Sequence, residues 1–445
     1  AINWADVGTK ALQFILSFSI LVTLHELGHY LTAKWFGCRV EKFYLFFNPW
    51  FSLWKKKIGE TEYGIGWVPF GGYVKISGMV DESMDKEQMK LPAEPYEFRS
   101  KPAWQRLIIM IGGVVVNIIL AIVLFIFISY KWGDKYIPVQ NLKYGVYADS
   151  LARKTGVQDG DVIVAVAGKP IERVGTVGME MISNEAKEIT VLRNGERINL
   201  KVPAGVVGQM NKNRGGGFSY VRVPMIVDSL ESFAKITGGN IQKGDTLISF
   251  NGKSIRYSTD IKYDSIPENK TVSLAFKRNN DTITVNAYFE KGKGNGILYQ
   301  AMDKVFGLIE KNYTFSEAIP AGLTRCWETL TRYIQNIGHL FKSNEIKVSD
   351  SLGSVLSIGN TFSGDLSDWQ GFWTLTAIFS IILAFMNILP IPALDGGHAL
   401  FCIFEMITGR KPSDKFMEYA QMAGMVLLLG LMAYALGLDI FRIFK

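Results

Sequence analysis

Cysteine is scarce in this chain. Cys38, Cys326 and Cys402 are the only three, they stand far apart, and none belongs to a CxxC pair. That pattern excludes a disulfide framework and offers no thiolate metal site. Histidine is nearly as rare, with four in 445 residues. Any imidazole site therefore has few residues to draw on. Charge is missing over long stretches, and residues 107–130 (LIIMIGGVVVNIILAIVLFIFISY) carry none.

What fills those stretches is apolar sequence, 48% of the chain. Four runs, residues 11–36, 107–130, 372–394 and 423–440, are long enough to cross a bilayer as helices. The fourth is expected to end in a turn near Gly437. The first is read as a retained span: it is too long for a secretory signal. The net charge of +7 is unevenly spread. Lys34, Arg39, Lys42, Lys55, Lys56, Lys57, Lys75, Lys86, Lys90, Arg99 and Lys101 fall between runs one and two, and Arg410, Lys411 and Lys415 between three and four. By the positive-inside rule both connections face the cytoplasm, and the termini and residues 131–370 face the other side. Topology accounts for the basic charge, and no nucleic-acid partner is expected.

Two of the four histidines share one pentapeptide, His25-Glu26-Leu27-Gly28-His29, inside the first run. On a helix, residues four apart project from one face, so two imidazoles can share one metal. Glu26 is placed to take a proton from an activated water. HExxH also arises in chains that bind no metal. At membrane depth, however, ionisable groups cost about 2.5–3.5 kcal/mol each, which makes them functional candidates.

A third ligand must reach the same depth. The third run ends in Asn387-Ile-Leu-Pro-Ile-Pro-Ala-Leu-Asp395-Gly-Gly-His398. Its prolines break the helix, and Gly396-Gly397 are expected to make a turn that aims Asp395 inward. Asp395 is the best third ligand and His398 the competitor. His339 reads as part of a surface or interfacial helix, and Glu60, Glu62 and Asp81 as loop residues. Asn387 is a candidate for holding substrate. Asn117 reads equally well as a functional amide or as a helix-packing device.

Between runs two and three the chain repeats itself. Residues 156–171 (GVQDGDVIVAVAGKPI) align with 240–255 (NIQKGDTLISFNGKSI), matching Gly160-Asp161 to Gly244-Asp245 and Gly168-Lys169 to Gly252-Lys253. Each Gly-Asp leads into an alternating strand and each Gly-Lys marks a hairpin turn. The paired motif resembles the PDZ family in its permuted bacterial arrangement, which implies peptide capture by strand addition or a size filter. Spacer modules are the plain alternative.

HELGH in the first span, tandem PDZ-like modules and NxxPxPxLDG in the third span together make the chain resemble the bacterial site-2 proteases of the RseP type. Gly71-Gly72-Tyr73-Val74-Lys75 resembles that family too, within Glu62 to Lys75, which alternates like strands around a Gly-rich turn. The expected fold is a multi-pass α-helical membrane protein with four transmembrane helices, a membrane-associated β-loop and two inserted PDZ-like α+β domains. Expected boundaries are 1–36 (span one), 37–103 (β-loop region), 104–131 (span two), 138–205 and 216–292 (PDZ-like), 305–345 (amphipathic connector), 371–400 (span three) and 416–441 (span four). The chain departs from the family at Gly113-Val114 and Gly353-Ser354-Val355, where glycine-proline is common.

The resemblance implies a Zn2+-dependent endopeptidase of the bacterial inner membrane, with termini and PDZ-like domains periplasmic. His25, His29 and Asp395 would hold the metal and Glu26 would act as base. Asn387, Gly71, Gly72 and Tyr73 would contact substrate. Implied partners are the bilayer, pre-cleaved single-span proteins such as anti-sigma factors and signal-peptide remnants, and peptide or a substrate outer domain at the PDZ-like domains. The competing class is a non-catalytic membrane scaffold presenting peptide-binding modules.

Overall fold

The computed structural model describes residues 4–79, 92–213, 216–262, 266, 268–351 and 353–444. Asp81, Lys86 and Lys90 lie outside the described residues, as do parts of the ranges 1–36, 37–103 and 216–292. The chain divides into two compact units. One comprises Ala1–Gly133, Asn312–Ile337 and Leu352–Lys445, the other Asp134–Lys311 and Gly338–Ser351.

The first unit holds the apolar runs. Helix α1 (Trp4–Trp35) stops at Gly37, whose positive φ of 67° lets Cys38 N–H return to the Ala33 carbonyl. A sheet follows: β1 (Val40–Phe47), β2 (Trp54–Ile58), β3 (Thr61–Ile65) and β4 (Val68–Ile76), in the order β2-β3-β1-β4. Strand β4 is thus an edge, antiparallel to β1. Gly71 and Gly72 lie within β4 rather than at a turn: a Cβ on Gly71 would crowd the Phe47 ring, and one on Gly72 the Tyr44 carbonyl. Glu62 likewise sits in a strand, accepting from the Tyr44 hydroxyl at 2.7 Å.

Helix α2 (Ala103–Trp132) runs unbroken through Gly113-Val114. Helix α3 (Phe315–Lys342) buries Ala318, Gly322 and Cys326, a stripe at four-residue spacing. Gly322 abuts the backbone of Ile126, so this amphipathic connector is packed on α2 along part of its length. Helix α4 (Trp369–Ile388) is capped by Asp368, which accepts from Gly371 N–H at 2.8 Å. The stretch expected as one span over 371–400 is in fact two helices. Pro390 and Pro392 end α4, and α5 (Asp395–Thr408) begins after an extended Leu394. Gly396 and Gly397 are helical. They serve close approach, because a Cβ on either would collide with the folded-back carbonyls of residues 388–391. Helix α6 (Asp414–Phe444) continues through Gly437 without a turn, since glycine is well tolerated in apolar helices.

Four of these helices are long and apolar enough to cross a membrane: Trp4–Trp35, Ala103–Trp132, Trp369–Ile388 and Lys415–Arg442. Small and polar residues draw α1, α2 and α4 together, as expected where apolar burial alone gives little specificity. Gly28 meets the Gly112 backbone directly. Ser17 and Thr376 hydroxyls pair at 2.9 Å, and the Ser380 hydroxyl donates to the Asn117 carbonyl at 2.7 Å. Arg106 and Glu405 form a largely buried ion pair of 2.6 Å between α2 and α5.

In the second unit each sequence repeat forms a sheet around its own core. The first contains strands Val162–Val166, Lys169–Pro170, Glu188–Arg193 and Glu196–Lys201. The second is built on Thr246–Phe250, Lys253–Ser254, Lys270–Arg278 and Asp281–Phe289. Ala167-Gly168 and Asn251-Gly252 have positive φ at both positions, the conformation of a tight primed hairpin turn. The Gly-Asp motif has a structural role. Asp161 and Asp245 are buried, and each receives an arginine from a following strand, Arg193 and Arg278, with Nε bonds of 2.8 Å in both cases. His339 lies in the last turn of α3, 2.8 Å from the Ser183 carbonyl and 3.1 Å from Glu185.

Candidate metal centre

Three elements bring chemistry to one point. The α1 helix period puts His25 and His29 on its buried face with their Nε2 atoms 3.2 Å apart. The break after α4 places Asp395 in the first turn of α5, where the helix dipole favours a carboxylate. Its Oδ2 stands 3.0 Å from His25 Nε2 and 3.3 Å from His29 Nε2. Asn387, one residue before the end of α4, brings its amide to 3.2 Å from His25 Nε2.

The third wall is α2. The Ile109 carbonyl, an acceptor only, lies 2.8 Å from His29 Nδ1. The proton donated to Ile109 therefore sits on Nδ1 of His29, which leaves Nε2 as the nitrogen that can ligate a metal. The Asn117 amide lies 3.2 Å from His25 Nδ1. Gly113 lies directly against the two rings: a Cβ there would stand 2.6 Å from both His25 Cε1 and His29 Nε2.

These donors fit zinc. Asp395 Oδ2 is buried and accepts no hydrogen bond. Two imidazole nitrogens and a carboxylate oxygen converging at such distances form a donor set able to hold a cation. Tetrahedral zinc, with bonds of about 2.0–2.1 Å, holds its donors about 3.3 Å apart. The observed sides of 3.0, 3.2 and 3.3 Å match that spacing. His25, His29 and Asp395 are also the one group of metal-type donors that converges among the described residues.

Glu26 and Asp395 line the same cavity of about 350 Å³, with Gly72 and Tyr73 of β4 on its wall. Val74 of β4 lines the same cavity beside Glu26. His398 also borders the cavity but turns to Gln421 of α6, 3.3 Å away, and is not among the converging donors. Gly71 stays in β4 behind the Phe47 ring. Sequence reasoning missed Gly113 and Ile109 and left Asn117 open. The available signal was Gly113 and Asn117 at i, i+4 in a charge-free helix, one face able to receive two imidazoles.

The model of peptidase family M50 matches residues 13–431. The chain belongs to peptidase family M50. This M50 chain is 26% identical to the regulator of sigma-E protease RseP of Escherichia coli, over 97% of this chain and 98% of that one. It is 23% identical to the regulator of sigma E protease of Haemophilus influenzae, over 97% and 98%. A Treponema pallidum protein named as a candidate zinc metalloprotease is 25% identical over 93% and 95%. Family, relatives and donor set together make the chain an RseP-type, site-2 metalloprotease whose metal is zinc. With its four apolar helices it is a multi-pass protein of the bacterial inner membrane.

Proposed function

We propose that this M50 protease cuts peptide bonds within the transmembrane segments of pre-cleaved single-span proteins. The observation that carries the reading is the cavity in which Glu26 and the His25–His29–Asp395 triangle face an edge strand, inside the helical unit. His25, His29 and Asp395 would hold the metal. When bound, zinc supplies Lewis-acid chemistry, acidifying water and polarising a carbonyl. Glu26 takes the proton of the attacking water and passes it to the leaving amine. The Asn387 amide donates to the carbonyl oxygen as negative charge develops there.

A helical substrate hides its carbonyls in its own hydrogen bonds and must unwind to be cut. Strand β4, last in the order of the described sheet, offers replacement partners at Gly71, Gly72 and Tyr73 by strand addition. The relatives named for sigma-E regulation support a role in regulated intramembrane proteolysis; in this reading the substrates are membrane-anchored anti-sigma factors and signal-peptide remnants. The two repeat units act as PDZ-like filters or peptide binders on the periplasmic side, where both termini also lie. The scaffold reading is weaker, because a scaffold has no use for an intact base beside a metal triangle.

The test is cleavage of a tagged single-span substrate lacking its outer domain, by purified chain and by Glu26→Gln. Cutting inside the span by the native chain, abolished by the substitution while bound zinc is unchanged, is the expected result. Cleavage that survives Glu26→Gln would overturn the assignment of the base.

A further inference from the structure

Helix α3 passes from one compact unit to the other. It belongs to the helical unit as far as Ile337, and from Gly338 onward to the unit of the two repeats. Gly338 lies inside the helix at that boundary, with nothing within 4 Å of where a Cβ would stand. Packing does not call for glycine there, and glycine weakens a helix relative to alanine. The next residue, His339, meets the loop that ends helix Val177–Ser183 of the first repeat. Its Nε2 lies 2.8 Å from the Ser183 carbonyl and its Nδ1 3.1 Å from Glu185 Oε1. Glu185 Oε1 is buried and accepts no other hydrogen bond from the described residues. A carbonyl and an ionised carboxylate only accept, and a neutral imidazole carries one N–H. Only the imidazolium satisfies both partners.

We propose that His339 is a proton-operated clasp, closed on the first repeat while the ring is charged and released when it is neutral, with Gly338 as the pivot. Histidine changes charge between about pH 5 and 8, so the clasp tightens as pH falls and loosens as pH rises. The other charged groups around the contact do not offer a rival switch. Lys169 and Glu180 hold the Asn184 amide from its two ends, at 2.8 and 2.9 Å, and compensate each other. Lys187, two residues beyond Glu185, is exposed and screened. On α3 itself Arg332 precedes the ring and Lys342 follows it. Their positive charges oppose an imidazolium, which leaves Glu185 as the group that stabilises it. Past the helix, Glu345 accepts from Gly208 N–H at 3.2 Å and Ser351 from the Asn211 amide at 3.0 Å. Those bonds join the following segment to helix Val206–Lys212 of the same repeat and involve no histidine. His339 is therefore where the docking of this segment responds to protons.

The test is hydrogen exchange of the full chain in detergent, read by mass spectrometry over residues 339–343 and corrected for the intrinsic pH dependence of exchange. A charge-assisted hydrogen bond, discounted for a partly exposed pair, changes local opening roughly three- to tenfold. Protection of these amides should fall by that factor from about pH 5 to about pH 8, while strands Lys270–Arg278 and Asp281–Phe289 of the second repeat keep theirs. Both His339→Gln and Glu185→Gln, whose amide donates to a neutral ring, should lose the dependence. Equal protection at the two pH values in the native chain overturns the proposal. So does a dependence that survives in either variant, or one shared by the second repeat, which would mark a general loosening. Exchange needs neither zinc nor substrate, so its outcome is independent of the protease reading.

Discussion

Replacing Gly113 by alanine probes the metal centre at its tightest point. The added methyl would stand 2.6 Å from His25 Cε1 and from His29 Nε2, and 2.7 Å from His25 Nδ1. Carbon contacts ordinarily settle at about 3.5–4.0 Å, so the rings or α2 must give way by about 1 Å. Metal–ligand distances tolerate only about 0.2 Å. Retreat of α2 is opposed by the Gly28–Gly112 backbone contact beside it. The displaced rings would also stretch the His29–Ile109 and His25–Asn117 contacts, and losing such support typically costs 10–100-fold in metal affinity. Alanine in place of glycine inside a helix is by itself favourable by about 1 kcal/mol, so a loss cannot come from helix propensity. The assay is a competitive chelator titration of zinc on purified protein, with Gly8→Ala as control, since nothing lies within 4 Å of a Cβ at Gly8. A Gly113→Ala chain that holds zinc at the native chelator midpoint would refute the reasoning.

Asp395→Asn should release zinc at much lower chelator concentration, while His398→Gln keeps native affinity; the reverse order in metal analysis would make His398 the ligand. Asn387→Leu should retain zinc yet lower the cleavage rate by roughly 10²–10³-fold, the usual cost of a lost oxyanion donor; an unchanged single-turnover rate would argue against that role. In the second repeat, Arg278 holds the Asp245 carboxyl below its ordinary value of 3.8. A depressed carboxylate contributes stability above the unfolded value, and that contribution fades as pH falls through the folded one. Asp245→Asn should therefore destabilise this repeat at neutral pH, by about 2 kcal/mol after allowance for the partly exposed arginine. The native and substituted chains should converge only as pH falls from 3.8 through the lower folded value, in thermal melts followed by circular dichroism.

Local chemistry was legible in the one-dimensional chain. HExxH declared its own face, because a helix repeats every 3.6 residues and the two histidines are four apart. The apolar runs declared spans, and the Gly-Lys and Gly-Asp repeats declared two hairpin-bearing units, because turns demand particular residues. Even the break before Asp395 was written in Pro390 and Pro392.

What the sequence left open was contact between distant segments. The breaks around Asp395 favour it over His398, but the choice is made by the start of α5, which turns the carboxylate to the imidazoles while His398 meets Gln421. Nothing local tells that Gly113 makes room for two rings, that the Ile109 carbonyl sets a histidine tautomer, or that Asp161 and Asp245 await arginines some thirty residues on. Gly71 and Gly72 looked like a turn because glycine reports freedom without saying whether the backbone uses it to bend or to approach a neighbour. The residues that carry the chemistry were set by sequence. Their meeting within about 3.3 Å was decided by helix packing, which alone brings residues 25, 117 and 395 to one place.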